Sequence, residues 1–143
     1  MTDKQFRKKL DQITNKKQTL KNTQEFLEVL AKGYTQQLNI LIYGVSKTND
    51  DENINQACII KNGEKAMLYF TDKRHVKNTK SVAPAGSTYQ AKCYEVNICD
   101  VINNAIEKDE VTSLVFNQGT NNMYIIPKMM LAVVLLKNSD LSD

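Results

Sequence analysis

Residues 129–136 read Met-Met-Leu-Ala-Val-Val-Leu-Leu, an unbroken apolar run bracketed by Lys128 and Lys137. A membrane-spanning helix needs about 18 or more such residues, so this run is too short to cross a bilayer. A helix apolar on every side has no face to offer water and must be covered nearly all round. The run therefore calls for a globular body with a second layer over a helix at 127–137. Pro127 suits the first turn of that helix, where a missing N–H costs nothing. Two covers are open. One is the amino-terminal amphipathic helix, through Leu20, Phe26, Leu27 and Leu30. The other is a second copy or a different protein, because a bare apolar patch of this size is an interaction site. Met129, Met130, Val133, Val134, Leu20 and Leu27 are thus the candidate partner or self-association surface, and adjacent methionines suit either case.

With 143 residues, the chain has room for one domain. Phe6, Leu10, Ile13, Leu20 and Leu27 form an amphipathic stripe that weakens at Lys16-Lys17. This predicts helices near 3–20 and 23–33, the second opened by an Asn22/Glu25 capping box and stopped by Gly33. A strand is expected at 38–45 and a mobile acidic loop at 46–56. Strands at 58–61 and 65–70 flank Asn62-Gly63, a dipeptide that favours a type I′ hairpin. Thr71 is the expected cap of a short helix, and 80–87 reads as a loop. A strand at 88–96 leads into a helix capped by Asn97, and strands at 112–116 and 123–126 follow. The fold class is α/β of the α+β type, one mixed β-sheet flanked by helices. Residues 1–22 read as a basic amphipathic extension, 23–137 as the domain and 138–143 as a flexible tail. Residues 1–20 are expected to be less stable than the rest, since short isolated helices are marginal in water.

Three local features coincide in order. They are the strand Leu68-Tyr69-Phe70 running into Thr71-Asp72, the turn Phe116-Asn117-Gln118-Gly119-Thr120, and the Ile125-Ile126-Pro127 entry to the apolar helix. Over residues 23–137 the chain resembles the amino-terminal domain of the SseB family, the enhanced serine sensitivity proteins. Thr71, Asp72, Asn117, Gly119 and Thr120 stand at the turn and cap positions of that pattern. Gln118 stands where the family usually has Pro, which leaves the turn less rigid. The resemblance implies an α/β domain with a binding function, and it brings no catalytic residues with it.

The residues offer little chemistry. Cys58, Cys93 and Cys99 form no C-x-x-C pair, so inert, buried thiols are expected rather than a zinc site. His75, the only histidine, lies in a charged stretch and reads as a surface residue. There is no nucleophile elbow and no phosphate-binding glycine loop. Asp50-Asp51-Glu52 and Asp109-Glu110 read as solvated loop clusters. No cofactor and no metal are expected. The net charge is +3, and residues 1–32 carry eight Lys or Arg against four Asp or Glu. Those basic residues are nearly all Lys, whereas Arg is the better reader of phosphate and guanine. A non-catalytic interaction module, with an unknown protein partner or as a homo-oligomer, is therefore the leading expectation. RNA or DNA binding through the basic amino-terminal helix is the alternative. The first ten residues lack an apolar segment behind their charges, so no secretory signal, no membrane insertion and a cytoplasmic location are expected.

Overall fold

A computed structural model describes residues 1–46, 54–78 and 91–142. Helices α1 (Asp3–Thr14) and α2 (Leu20–Thr35) lead into strands β1 (Asn39–Ser46), β2 (Ile54–Gln56), β3 (Cys58–Lys61) and β4 (Glu64–Tyr69). A 3-10 helix (Lys73–Asn78) precedes β5 (Lys92–Asn97), α3 (Ile98–Glu107), β6 (Val111–Phe116) and β7 (Tyr124–Pro127). A second 3-10 turn (Lys128–Met130) opens α4 (Leu131–Ser142). The protein is an α+β domain. Its strands form two sheets rather than the single one expected, in the orders β2-β1-β5 and β3-β4-β6-β7. Leu41 and Phe70 join the two through an isolated bridge. The β4–β6 pair is parallel, and the chain between those strands supplies the crossover that such a pair requires.

Both faces of the central strands are buried, which is why they read as continuous apolar runs. Ile40, Ile42, Tyr69, Leu114 and Phe116 point into the main core, shared with all four helices. Their neighbours Leu41, Leu68, Phe70 and Val115 point the other way, into a second, smaller core beside Val76 of the first 3-10 helix. Alternation at a period of two produces this split. In the main core Phe26 meets Phe116 edge-on at 4.8 Å between ring centroids and leans on Tyr124 at 5.5 Å.

The two amino-terminal helices break where Lys16-Lys17 indicated, but their ends differ from expectation. Thr2 and Gln5 make a full capping box at the start of α1. The cap of α2 is Thr19, whose hydroxyl accepts from Asn22 N at 3.1 Å; Asn22 instead sends its amide back to Lys17 O at 2.8 Å. Gly33 does not stop α2. The helix ends at Gln36 with Gln37 left-handed (φ 55°), and Leu38 N returns to Gly33 O at 2.9 Å, closing a Schellman motif. Gly33 serves a different need, because a Cβ there would lie 2.4 Å from Cε1 of the fully buried Phe6 ring. Gly33→Ala gains helix propensity worth about 1 kcal/mol, yet overpacking of this kind costs about 1–3 kcal/mol. A net loss of about 1 kcal/mol is the expected outcome, read as a lower urea midpoint.

Helix α1 is no appendage. Phe6 and Leu10 are fully buried, Ile13 is nearly so, and all three belong to the main core. Asp3 accepts from both the backbone N and the side-chain amide of Asn39 on β1, at 3.0 and 3.1 Å. Arg7 pairs with Glu95 on β5 at 2.8 Å. Tyr124 aims its hydroxyl at the carbonyls that end α1, 3.0 Å from Ile13 O and 2.9 Å from Lys16 O. Those are groups a helix cannot satisfy by itself.

The Asn62-Gly63 hairpin forms as read, with Lys61 opposite Glu64 and both turn residues at positive φ (54° and 80°). The expected loop 46–56 gives way at its end to β2, which pairs with β1 through Ser46 and Ile54. Gly44 permits this approach, since a Cβ there would meet Asn55 O at 2.5 Å. Strand β5 is described from Lys92; the loop 80–87, residues 88–90 of the expected strand and the acidic cluster 50–52 lie outside the described residues. Pro127 ends β7 instead of starting a helix.

Candidate functional site

Two of the cap and turn residues singled out above, Thr71 and Asn117, meet in the interior, while Asp72 and Thr120 are half-buried and Gly119 is exposed. Asn117 is fully buried at a positive φ of 59°, and its Oδ1 accepts from Thr71 N at 3.0 Å. Its Nδ2 donates to Thr71 Oγ1 at 3.0 Å and to Thr14 Oγ1 at 3.3 Å. Thr71 then donates to Asp11 Oδ1 at 2.7 Å. Thr71 is therefore not the cap of the 3-10 helix. That task falls to Asp72, whose Oδ1 accepts from Arg74 N at 2.9 Å. Thr120 closes the turn by donating to Asn117 O at 2.7 Å, with Gly119 left-handed beside it (φ 82°).

Asp11 is the centre of this cluster and was not among the sequence candidates. His75 Nε2 lies 2.7 Å from Asp11 Oδ1, and Arg74 reaches Oδ2. A carboxylate only accepts, so Nε2 carries the proton between them. His75 is buried at 4% exposure, which overturns its reading as a surface residue. Burial by itself would raise the Asp11 pKa; the hydrogen bonds from Thr71, His75 and Arg74, with the Arg74 charge, together hold it below its ordinary value. Asp11 follows Leu10 by one residue and so lies off the apolar stripe, and nothing in its local sequence marks it.

The cluster ties α1, the end of β4, the 3-10 helix and the β6–β7 turn to one another. It contains an aspartate–histidine pair but no nucleophile: the hydroxyls of Thr14 and Thr71 are committed to Asp11 O and Asp11 Oδ1. Its outer rim is a shallow hollow bounded by Arg74, Thr120 and Asn122. The arrangement is a structural lock.

A larger cleft of about 810 Å³ lies between α3 and strands β2, β4 and β5. Its floor is Met67, Tyr69, Val96 and Val101, and three of its polar walls, Gln56, Glu95 and Asn97, hold partners within the protein. Gln56 donates to Leu68 O at 2.9 Å, and Asn97 both caps α3 through Cys99 N and donates to Gln37 O. Burial pushes the Tyr69 phenol up to about 12, so it stays protonated. Cys93 and Cys99 are half-buried rather than buried, and burial raises both thiols, which leaves them weak nucleophiles. Among the described residues no three His, Cys, Asp or Glu side chains gather at one point.

The candidate surface on α4 divides in two. Leu131 and Val134 are fully buried and Leu27 nearly so, so the intramolecular cover by α2 exists for that side. Lys137–Glu28 at 3.5 Å and Thr35–Asn138 at 2.6 Å stitch the two helices. The other side stays open: Met129 is 82% exposed, Leu136 68% and Val133 38%. Met130 is half-buried against the core. Leu20 contributes no cover, being 71% exposed in the first turn of α2. The helix is thus not enclosed all round, because a domain this small has one layer to place over it.

No family model, no curated protein and no solved structure matches the chain. No helix among the described residues is long and apolar enough to cross a membrane.

Proposed function

We propose that this protein is a small, non-catalytic interaction module of the cytoplasm that docks a protein partner on the outer face of α4. The observation that carries this reading is the exposure of Val133 and Leu136, three residues apart on α4, with Met129 exposed in the 3-10 turn that opens the helix. The resemblance to the SseB amino-terminal domain points in the same direction, and three free thiols suit a reducing compartment. The test is capture of partners from a lysate by the immobilised chain and by a Met129→Ser/Leu136→Ser variant. Exposed positions of this kind change stability by about 0.5 kcal/mol or less, so the variant stays folded. Proteins retained by the native chain are expected to fall at least about tenfold on the variant, as loss of a few anchor side chains does at interfaces. Identical captured sets would overturn the reading. Val134→Glu is not a suitable probe, because Val134 is fully buried and its replacement reports on folding.

A second reading rests on the outer face of α1 and the linker after it, where Lys4, Lys8, Lys9, Lys16 and Lys17 are all exposed. Of the strand aromatics among the described residues, Tyr69, Phe70, Phe116 and Tyr124 are buried and Tyr43 and Tyr94 half-buried, so none stands fully open for a base to stack on. Titration with mixed-sequence RNA between about 50 and 200 mM salt separates the readings, as phosphate contacts produce a steep salt slope.

A further inference from the structure

Strands β2 and β3 follow one another with only Ala57 between them, and each is the outermost strand of its sheet. Ala57 N donates to Tyr43 O on β1 at 2.8 Å, and Ala57 O accepts from Leu68 N on β4 at 3.3 Å. The type I′ turn makes Lys61–Glu64 a bonded pair, so residues 57, 59 and 61 turn their backbone groups inward. The alternate residues Ile54, Gln56, Cys58 and Ile60 turn theirs outward. Residues 54–61 are thus one continuous edge, about 27 Å long at strand spacing. Among the described residues no backbone group faces it. Ile60 is 64% exposed and Ile59 43%, and Lys61, at the turn, is the only charge in the stretch.

Edges of this kind are normally blunted by charge, proline, a bulge or a cover. The other edges of this protein are. On β7, the Gln18 side-chain amide accepts from Ile125 N at 3.0 Å and donates to Ile125 O at 2.8 Å, and Pro127 has no N–H to offer. On β5, Lys92 and the Arg7–Glu95 ion pair place charge along the strand. Among the described residues, the 54–61 edge has no such device.

We propose that two copies of this chain associate by antiparallel addition of residues 54–61, edge to edge, about a two-fold axis near Cys58. The occupant is a second copy because the edge is its own complement. A two-fold at Cys58 sets outward groups against outward groups throughout, with Gln56 opposite Ile60 and no like charges across the seam. It sets Cys58 against Cys58, Ala57 against Ile59 and Asn55 against Lys61, so no charged pair of like sign meets across strands. The contact is narrow, so the dimer is a weak one that forms with rising concentration. This surface is separate from the α4 face and does not depend on it.

Sedimentation velocity of the whole chain from micromolar to millimolar concentration tests the proposal, with Ile60→Pro as the main variant. Proline is tolerated on an edge strand where its N–H would point outward, so the β3–β4 hairpin survives while strand addition is blocked. The native chain is expected to dimerise, and Ile60→Pro to weaken the dimer at least tenfold with an unchanged urea midpoint. Should Ile60→Pro unfold, Ile60→Lys serves in its place. In a Cys93→Ser/Cys99→Ser chain, a short bis-maleimide is expected to link Cys58 to Cys58 in the dimer. A chain monomeric at millimolar concentration overturns the proposal. So does a dimer that ignores both Ile60 variants, or one that is lost only on Met129→Ser/Leu136→Ser.

Discussion

Phe6→Ala is expected to destabilise the protein by about 3–5 kcal/mol, the range for truncating a buried aromatic side chain. Phe6 is fully buried against Gly33 and within the core shared by α1, α2 and the sheet. A helix merely attached to a finished domain would lose its own order and leave the rest of the fold intact. Here the cavity opens inside the core, so the midpoint of global unfolding falls. Amide exchange supplies the second measurement. Protection at Leu10 and Ile13 is expected to match that of β1 and β6, because all of them open only when the core does. Fast exchange across residues 6–13, with slow exchange in the strands, would mean that α1 opens separately and that its burial contributes little to global stability.

Asp11→Ala is expected to cost about 3 kcal/mol at pH 7, the lower part of the range for breaking a buried ionic network. The Arg74 arm contributes least, since that side chain is 54% exposed and screened by water. Most of the loss comes from stranding His75 and Thr71, both nearly excluded from solvent. The pH dependence has a definite sign. The folded-state pKa of Asp11 lies below its ordinary value of 3.8. Its ionised form therefore adds stability that is fully present above 3.8 and disappears as pH falls through the lower folded value. The gap in unfolding free energy between the native chain and Asp11→Asn should be constant from neutrality down to about pH 5 and shrink below that. A gap independent of pH would show that the carboxylate charge is not what the cluster uses.

Elements defined by contacts close in sequence were legible. The Asn62-Gly63 hairpin, the Asn97 cap and the break at Lys16-Lys17 each depend on a few neighbouring residues and on backbone geometry those residues favour. Cap positions were less so: Thr19 rather than Asn22 opens α2, since the linker turns back to reach Tyr124 and Ile125, residues about a hundred positions away. Gly33 was misread for the same reason. A glycine near a helix end resembles a stop, and its actual use, admitting the Phe6 ring, depends on a residue in another helix. His75 sits among Asp72, Lys73, Arg74 and Lys77, so its local surroundings say surface, while Asp11 from α1 draws it inside.

What the sequence by itself determined is the class of the molecule: an α+β domain with a mixed arrangement of strands and helices, an amphipathic amino-terminal pair of helices, and an apolar carboxy-terminal helix too short to span a bilayer. Periodicity and turn chemistry are properties of a short stretch of chain, and they carry that far. The tertiary structure decided three further matters: that α1 belongs to the core, that Asp11 gathers Thr71, Arg74 and His75 into one buried lock, and that one side of α4 and, among the described residues, the 54–61 edge face outward. Burial is a property of the whole assembly, because one side chain's exposure depends on elements brought to it from elsewhere in the chain. An apolar residue states only that water is unfavourable to it, and the packing of the other layers settles which such residues are covered.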